Sequence, residues 1–586
     1  STRSTYIISV DAVKLEGAFV FLDRVDLNAT VTGSSTTSIL SIVAGTSSDV
    51  NVLWNTGVFV NISRASNSAV RPTVNIIYFL GNVSECNVII AADNTVMCVI
   101  PGVNLLRVVH FNGAIVDTLV AVGVRNELLV TPLRSSELSD ENVNSSSVLN
   151  LNLPISISPL LHIARALMLN FEVALAFNLS VMIGDSNVIN AAGDVSVMRF
   201  ILLGAPKALV ENVELWIGDD NRISIVGPDY AEFASFGVAT GTMTNVSVIF
   251  GQRNVLLLAH TSTAYSGQAG SAVFRFTVVV GLRISVGSNN TFLQLTKGVD
   301  SASFTVFGDV VDFVVRVENG NLFKMWADGT KTLTLWSCGM SVRADVTIGS
   351  DNCFIAGVKG TSVVGVAGTE AGFLHHPAAP STAATAMAVS FDRAVPIKNE
   401  TPSSPPYGSS LLFDGGFLAP HAEVGWTRLV AVAIFESIQH SLSSNALAAG
   451  WVNWLTFGTY GVSTDNVSVA IRHRNVFLVV TSASLAFIGV SGSVLKGARI
   501  ELGDSNVLVA LANPTVKILC GTVTLSNFSL TIGSGNVFLT RLANGNGLGS
   551  FFAFSQMQSN VTVTVGCLIR FLFMQIGEVF PPVYWT

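Results

Sequence analysis

A short turn closed by Asn returns along this chain at a period near 31 residues. That recurrence limits the fold more than any other feature. The stretch NLSVMIGDSNVI, Asn178 to Ile189, reappears as NVSVIFGQRNVL (Asn245 to Leu256), NVSVAIRHRNVF (Asn466 to Phe477) and NFSLTIGSGNVF (Asn527 to Phe538). Weaker copies are VELWIGDDNRI, LRISVGSNNTF, ADVTIGSDNCF and RIELGDSNVL. Each reads as an alternating strand, a turn and a second apolar strand. Successive side chains of a strand face opposite sides. Leu179, Val181 and Ile183 therefore share an inner face, and Asn178, Ser180 and Met182 an outer one. The same inner positions hold Val246, Val248, Phe250; Val467, Val469, Ile471; and Phe528, Leu530, Ile532. A one-residue slip would turn all of these outward, so register is strongly specified.

The turn has its own signature. Gly184, Gly218, Gly251, Gly287, Gly349, Gly503 and Gly533 share one position, where a positive φ is expected. The closing residue is Asn187, Asn221, Asn254, Asn290, Asn321, Asn352, Asn475, Asn506 or Asn536. Asn tolerates the left-handed region and bonds local backbone. Successive gaps are 34, 33, 36, 31 and 31 residues from Asn187 to Asn352, then 31 and 30 from Asn475 to Asn536. The gap from Asn126 to Asn187 is 61, about two repeats, and that from Asn352 to Asn475 is 123, about four.

One repeat holds too little apolar surface to fold alone, so repeats must stack. The expected fold is all-β: a parallel β-helix (β-solenoid) of roughly 31-residue coils with irregular insertions, its turn Asn residues forming a ladder. The alternative is an antiparallel sandwich of stacked hairpins closed by the G-x-x-N turns.

Along the chain, residues 1–130 read as irregular N-terminal coils and a cap, and 131–176 as a loop and helix excursion. LLHIARALML, Leu160 to Leu169, is its helical candidate. Residues 177–369 are regular coils. Residues 370–460 form an irregular Pro/Ala/Ser-rich insertion with a short helix. Coils are expected to continue through it, since the gap is close to four repeats. Residues 461–586 are regular coils with a C-terminal cap. The chain opens STRSTYIISV, without an initiator Met, and reads as a processed or excised chain.

Hydrophobic residues make up 49% and charged residues 12% of the 586 positions, against a usual charged share of about 25%. The formal charge of −7 comes with no basic stripe, which argues against nucleic acid. Mean hydropathy is +0.56, yet no apolar run approaches the length of a transmembrane helix.

Sequons N-x-S/T occur at Asn28, Asn61, Asn82, Asn144, Asn178, Asn245, Asn289, Asn399, Asn466, Asn527 and Asn560. An Asn- and Ser-rich chain yields some by chance. Asn178, Asn245, Asn466 and Asn527, however, each lie nine residues before a turn Asn on the outer face. Exposure and motif together make them candidates for N-linked glycans and point to the secretory pathway. Six Cys residues suggest disulfides in such a chain, with Cys86–Cys98, Cys338–Cys353 and Cys520–Cys567 as nearest neighbours. The alternative is buried free thiols. No C-x-x-C occurs, so no zinc site is expected.

No catalytic set stands out, and no cofactor or metal is implied. Asp219-Asp220 is the one acidic pair in a strong repeat, and a turn filled by small polar residues accounts for it. His375, His376, His421, Asp392 and Asp414 fall in the irregular region. Phosphate loops, G-x-S-x-G and H-E-x-x-H are absent.

The repeated N-V-S-V-x-I-G-x-x-N strands of residues 177–356 and 461–586 resemble the repetitive, N-glycosylated surface proteins of protists, nearest the dispersed-gene-family surface proteins of kinetoplastids. The resemblance implies a parallel β-helix, display at the cell surface, and adhesion or a protective coat. The expected function is that of an extracellular structural glycoprotein without enzyme activity. It would be a rod-like subunit of a surface filament, flagellar hair or coat, self-associating end to end. A cell-surface adhesin or carbohydrate-binding β-helix is the alternative, with Trp426, Trp451, Trp454 and Tyr407 available to stack on sugars. A polysaccharide lyase or hydrolase is the third.

Overall fold

The computed structural model describes residues 5–31, 36–64, 73–99, 105–131, 165–359 and 451–585, apart from short breaks within the last two stretches. Two compact units are present. Of the described residues, one comprises those up to Ile284 together with Thr305–Gly308, and the other Ser285–Phe304 and those from Asp309 onward. Each is a parallel β-solenoid, with no helix among its described residues.

A coil contains three strands, one more than the repeated motif. Arg165–Glu172, Leu175–Ile183 and Val188–Ala192 make one coil. Val197–Leu203, Ala208–Ile217 and Arg222–Gly227 make the next. Strands pair in parallel with their equivalents one coil away. Leu179, Val213 and Val246 therefore stack, as do Val181, Leu215 and Val248, and all six are buried. Met182, on the opposite face, is 39% exposed. Stacking puts like side chains in contact, and aromatic columns result. Phe79, Phe111 and Phe171 stack at 4.7 and 5.5 Å in the first unit. Phe292, Phe323, Phe354 and Phe477 stack at 4.8, 5.2 and 4.8 Å in the second.

The first strand of each coil carries no repeated motif because both its faces are covered. In Tyr230–Phe236 every residue from Ala231 to Phe236 is buried. A strand buried on both sides reads as a continuous apolar run and not as an alternation. The helix expected at Leu160–Leu169 is corrected on the same ground. Arg165–Glu172 is a strand, with Leu169, Asn170 and Phe171 all buried.

The long gaps are also corrected. Phe111 stacks directly on Phe171, and Phe354 directly on Phe477. Cys353–Lys359 pairs with Val476–Val480, and Thr332–Ser337 with Trp451–Phe457. Segments 132–164 and 360–450 each join the third strand of one coil to the first strand of the coil stacked on it. No coils intervene at either place, and both segments lie outside the described residues. The 123-residue gap is one step of the solenoid plus an insertion. The short helix expected within 370–460 falls largely in that segment, and Trp451–Phe457 is a strand.

The expected disulfides are not formed. Cys86, Cys98, Cys353 and Cys567 are free thiols, the first three buried. Cys98 stacks between Ile62 and Val130, and Cys353 between Leu322 and Val476, so each occupies an aliphatic position of the stack. Burial pushes both thiols up to about 12. Cys338 and the side chain of Cys520 lie outside the described residues.

Two measurements check this arrangement. Asp351 and Arg474 are ion-paired across adjacent coils although 123 residues apart. The double variant Asp351→Cys/Arg474→Cys is expected to form a disulfide on mild oxidation, seen as a gel shift reversed by reductant, because neighbouring strands lie about 4.8 Å apart. Intervening coils would prevent it. Iodoacetamide at pH 8 is expected to label Cys567 in the native protein, and Cys98 and Cys353 only after denaturation, because the thiolate is the reactive form. Peptide mass spectrometry reads the order of labelling.

Candidate functional site: two ladders, a buried ion cluster and open coil edges

The turn Asn residues form the expected ladder. The backbone N–H of Asn187 donates to Asn221 Oδ1, Asn221 to Asn254, Asn321 to Asn352, Asn475 to Asn506 and Asn506 to Asn536, all at 2.8–2.9 Å. Asn290 donates to Asn321 and Asn352 to Asn475 in the same way. Some of the side-chain amides turn back onto backbone: Asn187 Nδ2 donates to the carbonyls of Gly184 and Gly123, both at 2.9 Å. Asn126 and Asn94 extend the series, and Asn94 Oδ1 accepts from the N–H of Val58. Asn94 escaped the sequence reading because its turn, AADN, lacks the Gly.

The backbone chemistry of the turn differs from expectation. The left-handed residue is the one before the Asn: Ser186, Asp220, Arg253, Asn289, Asp351, Arg474 and Ser505 have φ between +55 and +61. The Gly three residues before the Asn is needed for a different reason. A Cβ on Gly184 would lie 2.6 Å from the carbonyl oxygen of Gly123 in the adjacent coil. Close stacking, not positive φ, excludes a side chain there.

A second column of left-handed residues runs through the second strands. In the first unit it contains Asp117, Asn178, Asn212, Asn245 and Gly281. In the second it contains Asp312, Arg343, Asn466, Gly497, Asn527 and Asn560. Its side chains bond along the stack at the surface. Asn178 Nδ2 donates to Asp117 at 2.7 Å, Asn212 to Asn178 at 3.1 Å, Asn245 to Asn212 at 3.0 Å, and Asn560 to Asn527 at 3.0 Å. Of the eleven sequons, Asn144 and Asn399 lie outside the described residues. Asn28, Asn82, Asn178, Asn245, Asn289, Asn466, Asn527 and Asn560 are exposed, and Asn61 is half-buried.

The acidic pair is engaged in the stack. Asp219 Oδ1 accepts from the N–H of Gln252 at 2.8 Å, and Arg253 grips Asp220 with two bonds of 2.8 Å. That guanidinium, hydrogen-bonded to Asp220, holds its carboxyl below the usual carboxylate range, the wrong direction for a general acid. His375, His376, His421, Asp392, Asp414, Tyr407 and Trp426 lie outside the described residues. Trp451 and Trp454 lie on a strand, with their side chains outside them. Among the described residues, no cluster of His, Cys, Asp and Glu has the arrangement of a metal site, and no helix is long and apolar enough to cross a membrane.

The strongest charge cluster was not anticipated. Glu232, fully buried, is gripped by Arg199 at 2.6 Å and by Arg275, which also bonds Ser235 Oγ at 2.6 Å. Burial alone would push the carboxyl up, but the two guanidiniums outweigh it and the pKa is lowered. No single repeat signals the cluster, because its members come from successive first strands and from the residue after one, the part of the coil without a motif. His110, buried between Tyr78 and Asn170, is held neutral, its pKa lowered by burial to about 3.

Among the described residues, each unit has strands that pair on one side only. Thr5–Glu16, Phe19–Leu22 and Asp26–Val31 pair on one side only among the described residues, with Thr36–Ser48, Asn51–Trp54 and Phe59–Arg64. Ile7, Val13, Phe19 and Phe21 are exposed there, Val13 by 90%. In the second unit Gln556–Val565 also pairs on one side only among the described residues, and Val563 and Val565 are 49% and 46% exposed. Their stacked neighbours Leu530 and Ile532 are buried. The strand Ile569–Gln575 is capped instead by antiparallel Glu578–Val579 and Val583–Trp585.

The chain matches no family model, no curated protein and no solved structure in comparisons with each.

The Glu232 cluster makes a pH-dependent contribution to stability. A carboxyl with a depressed folded pKa stabilises fully above its unfolded value, and the effect is lost as pH falls through the folded one. Glu232→Gln leaves two guanidiniums facing a neutral amide and is expected to destabilise by about 3–5 kcal/mol at pH 7. Thermal melts are expected to show the gap between variant and parent closing as the pH drops below about 4.

Proposed function

We propose that this chain is a structural β-solenoid of the cell exterior, a subunit of a surface fibre, hair or coat assembled by edge-to-edge contact between coils. The observation that carries this reading is the edge strand Gln556–Val565. Inner-column positions that are sealed one coil away, at Leu530 and Ile532, are exposed there at Val563 and Val565. Unpaired N–H and C=O groups on such edges are ready to pair with another strand. Contact between two unlike surfaces does not close on itself and builds a filament.

Two further features agree with this role. The exposed sequons fit passage through the secretory pathway. The repeated N-V-S-V-x-I-G-x-x-N strands resemble protist surface proteins of the dispersed-gene-family kind.

Electron microscopy of the purified native protein tests the proposal. Filaments with a regular axial repeat are expected. Val563→Lys/Val565→Lys, which charges one open edge, is expected to shorten or abolish them while leaving the β-sheet circular dichroism unchanged. Single particles from the parent protein at high concentration would sink the proposal.

A further inference from the structure

The exposed left-handed column contains a regularity that stacking does not require. Five of the eleven sequons place their Asn in it: Asn178 and Asn245 in the first unit, and Asn466, Asn527 and Asn560 in the second. All five have φ between +50 and +57, and all five are exposed. Their hydroxyl residues form a column of their own. Ser180 and Ser247 flank Glu214, and Ser468 and Ser529 flank Arg499, with Thr562 next to Ser529. The column's other members are not acceptors. Asn212, between Asn178 and Asn245, is followed by Val-Glu, and Gly497 stands between Asn466 and Asn527. Acceptors in both units therefore recur at every second coil, about 9.6 Å apart. Asn527 and Asn560 break the rule by occupying adjacent coils, about 4.8 Å apart.

We propose that this column is a file of N-linked glycan acceptors, filled at alternate coils, with Asn560 the under-occupied member because Asn527 sits one coil away. The proposal rests on the secretory reading above. The donor is an oligosaccharide carried on a lipid diphosphate. A bond forms from its anomeric carbon to Asn Nδ2, the anomeric C–O bond breaks, the lipid diphosphate leaves, and Nδ2 gives up one proton. The amide keeps a single N–H.

A single N–H is what the exposed column uses. Asn178 Nδ2 donates once, to Asp117, Asn245 Nδ2 once, to Asn212, and Asn560 Nδ2 once, to Asn527. The second hydrogen is replaced by sugar without breaking the ladder. The inner Asn residues cannot be modified in this way, since Asn187 Nδ2 is buried and donates to two carbonyls. Transfer at a stacked coil needs an exposed amide and an exit for the glycan. A surface corner whose hydrogen bonds run along the stack provides both.

The test is to express the full chain in a eukaryotic secretory host and measure site occupancy by amidase release in ¹⁸O water with peptide mass spectrometry. Asn178, Asn245, Asn466 and Asn527 are expected to be occupied in most molecules and Asn560 in a minority. Asn527→Gln is expected to raise Asn560 occupancy at least two-fold. Secreted protein glycosylated at Asn28, Asn61, Asn82 or Asn289 but bare along the column would overturn the proposal and leave the secretory reading intact. Equal occupancy of Asn527 and Asn560, indifferent to Asn527→Gln, would overturn the alternate-coil rule. Protein that folds but is neither secreted nor glycosylated would overturn the secretory reading, and the proposal with it.

Discussion

The buried Asn of the turn is the constraint on which the stack depends. Where the chain turns inward, a backbone N–H is taken out of water, and leaving it unpaired would cost about 1–3 kcal/mol. The side-chain oxygen of the Asn one coil away satisfies it, and at Asn187, Asn506 and Asn536 the amide of the same side chain also satisfies turn carbonyls of two coils. Asn can do this because it carries a donor and an acceptor on a side chain short enough to stay within the turn. An aliphatic replacement would strand donors and acceptors in both neighbouring coils. The residue is therefore repeated while its surroundings vary.

That demand propagates outward. For Nδ2 to reach the carbonyl of the preceding coil, the turns must approach closely, which is why a Cβ at Gly184, Gly503 or Gly533 would strike backbone. The close spacing brings the surface residues of the turn into contact, and acid and Arg then pair between coils, as Asp93 with Arg125, Asp220 with Arg253 and Asp351 with Arg474. Such exposed pairs are worth little individually. They also show how a chain with few charges arranges them, in register along the stack. Glu232 is different, because its charge is buried and its two Arg partners are what make that burial tolerable.

The sequence disclosed the second and third strands of each coil, since one buried face imposes alternation and the Asn turn marks its end. Leu179, Val181 and Ile183 were legible for that reason, as were the ladder residues from Asn187 to Asn536. The first strand was not, because covering on both faces erases the period. Leu160–Leu169 looked helical on that account, and the Glu232 cluster was invisible because its members lie in or just after those strands. The cysteines misled in another way. Their even number suggested bridges, whereas Cys98 and Cys353 simply take the place of Val or Ile in an aliphatic stack. Sequon positions were readable one by one, but the file they form required the register between coils.

The three corners of a coil differ in how strictly they count residues. Between the second and third strands the chain takes four in every coil from Asn51–Trp54 to Thr524–Ile532, as from Ile183 to Val188, Phe250 to Val255 and Ile532 to Val537. Between the third strand and the first it takes two residues after Lys297, three after Asp328 and ninety-one after Lys359. The Asn turn acts as a fixed gauge that resets register at every step, so a change of length elsewhere in the coil is not carried forward. Such a molecule can gain or lose whole segments at one corner while its remaining coils keep their mutual alignment. The Asn turn keeps the count, and the other two corners carry the variation, most of it at the seam between a third strand and the next first strand.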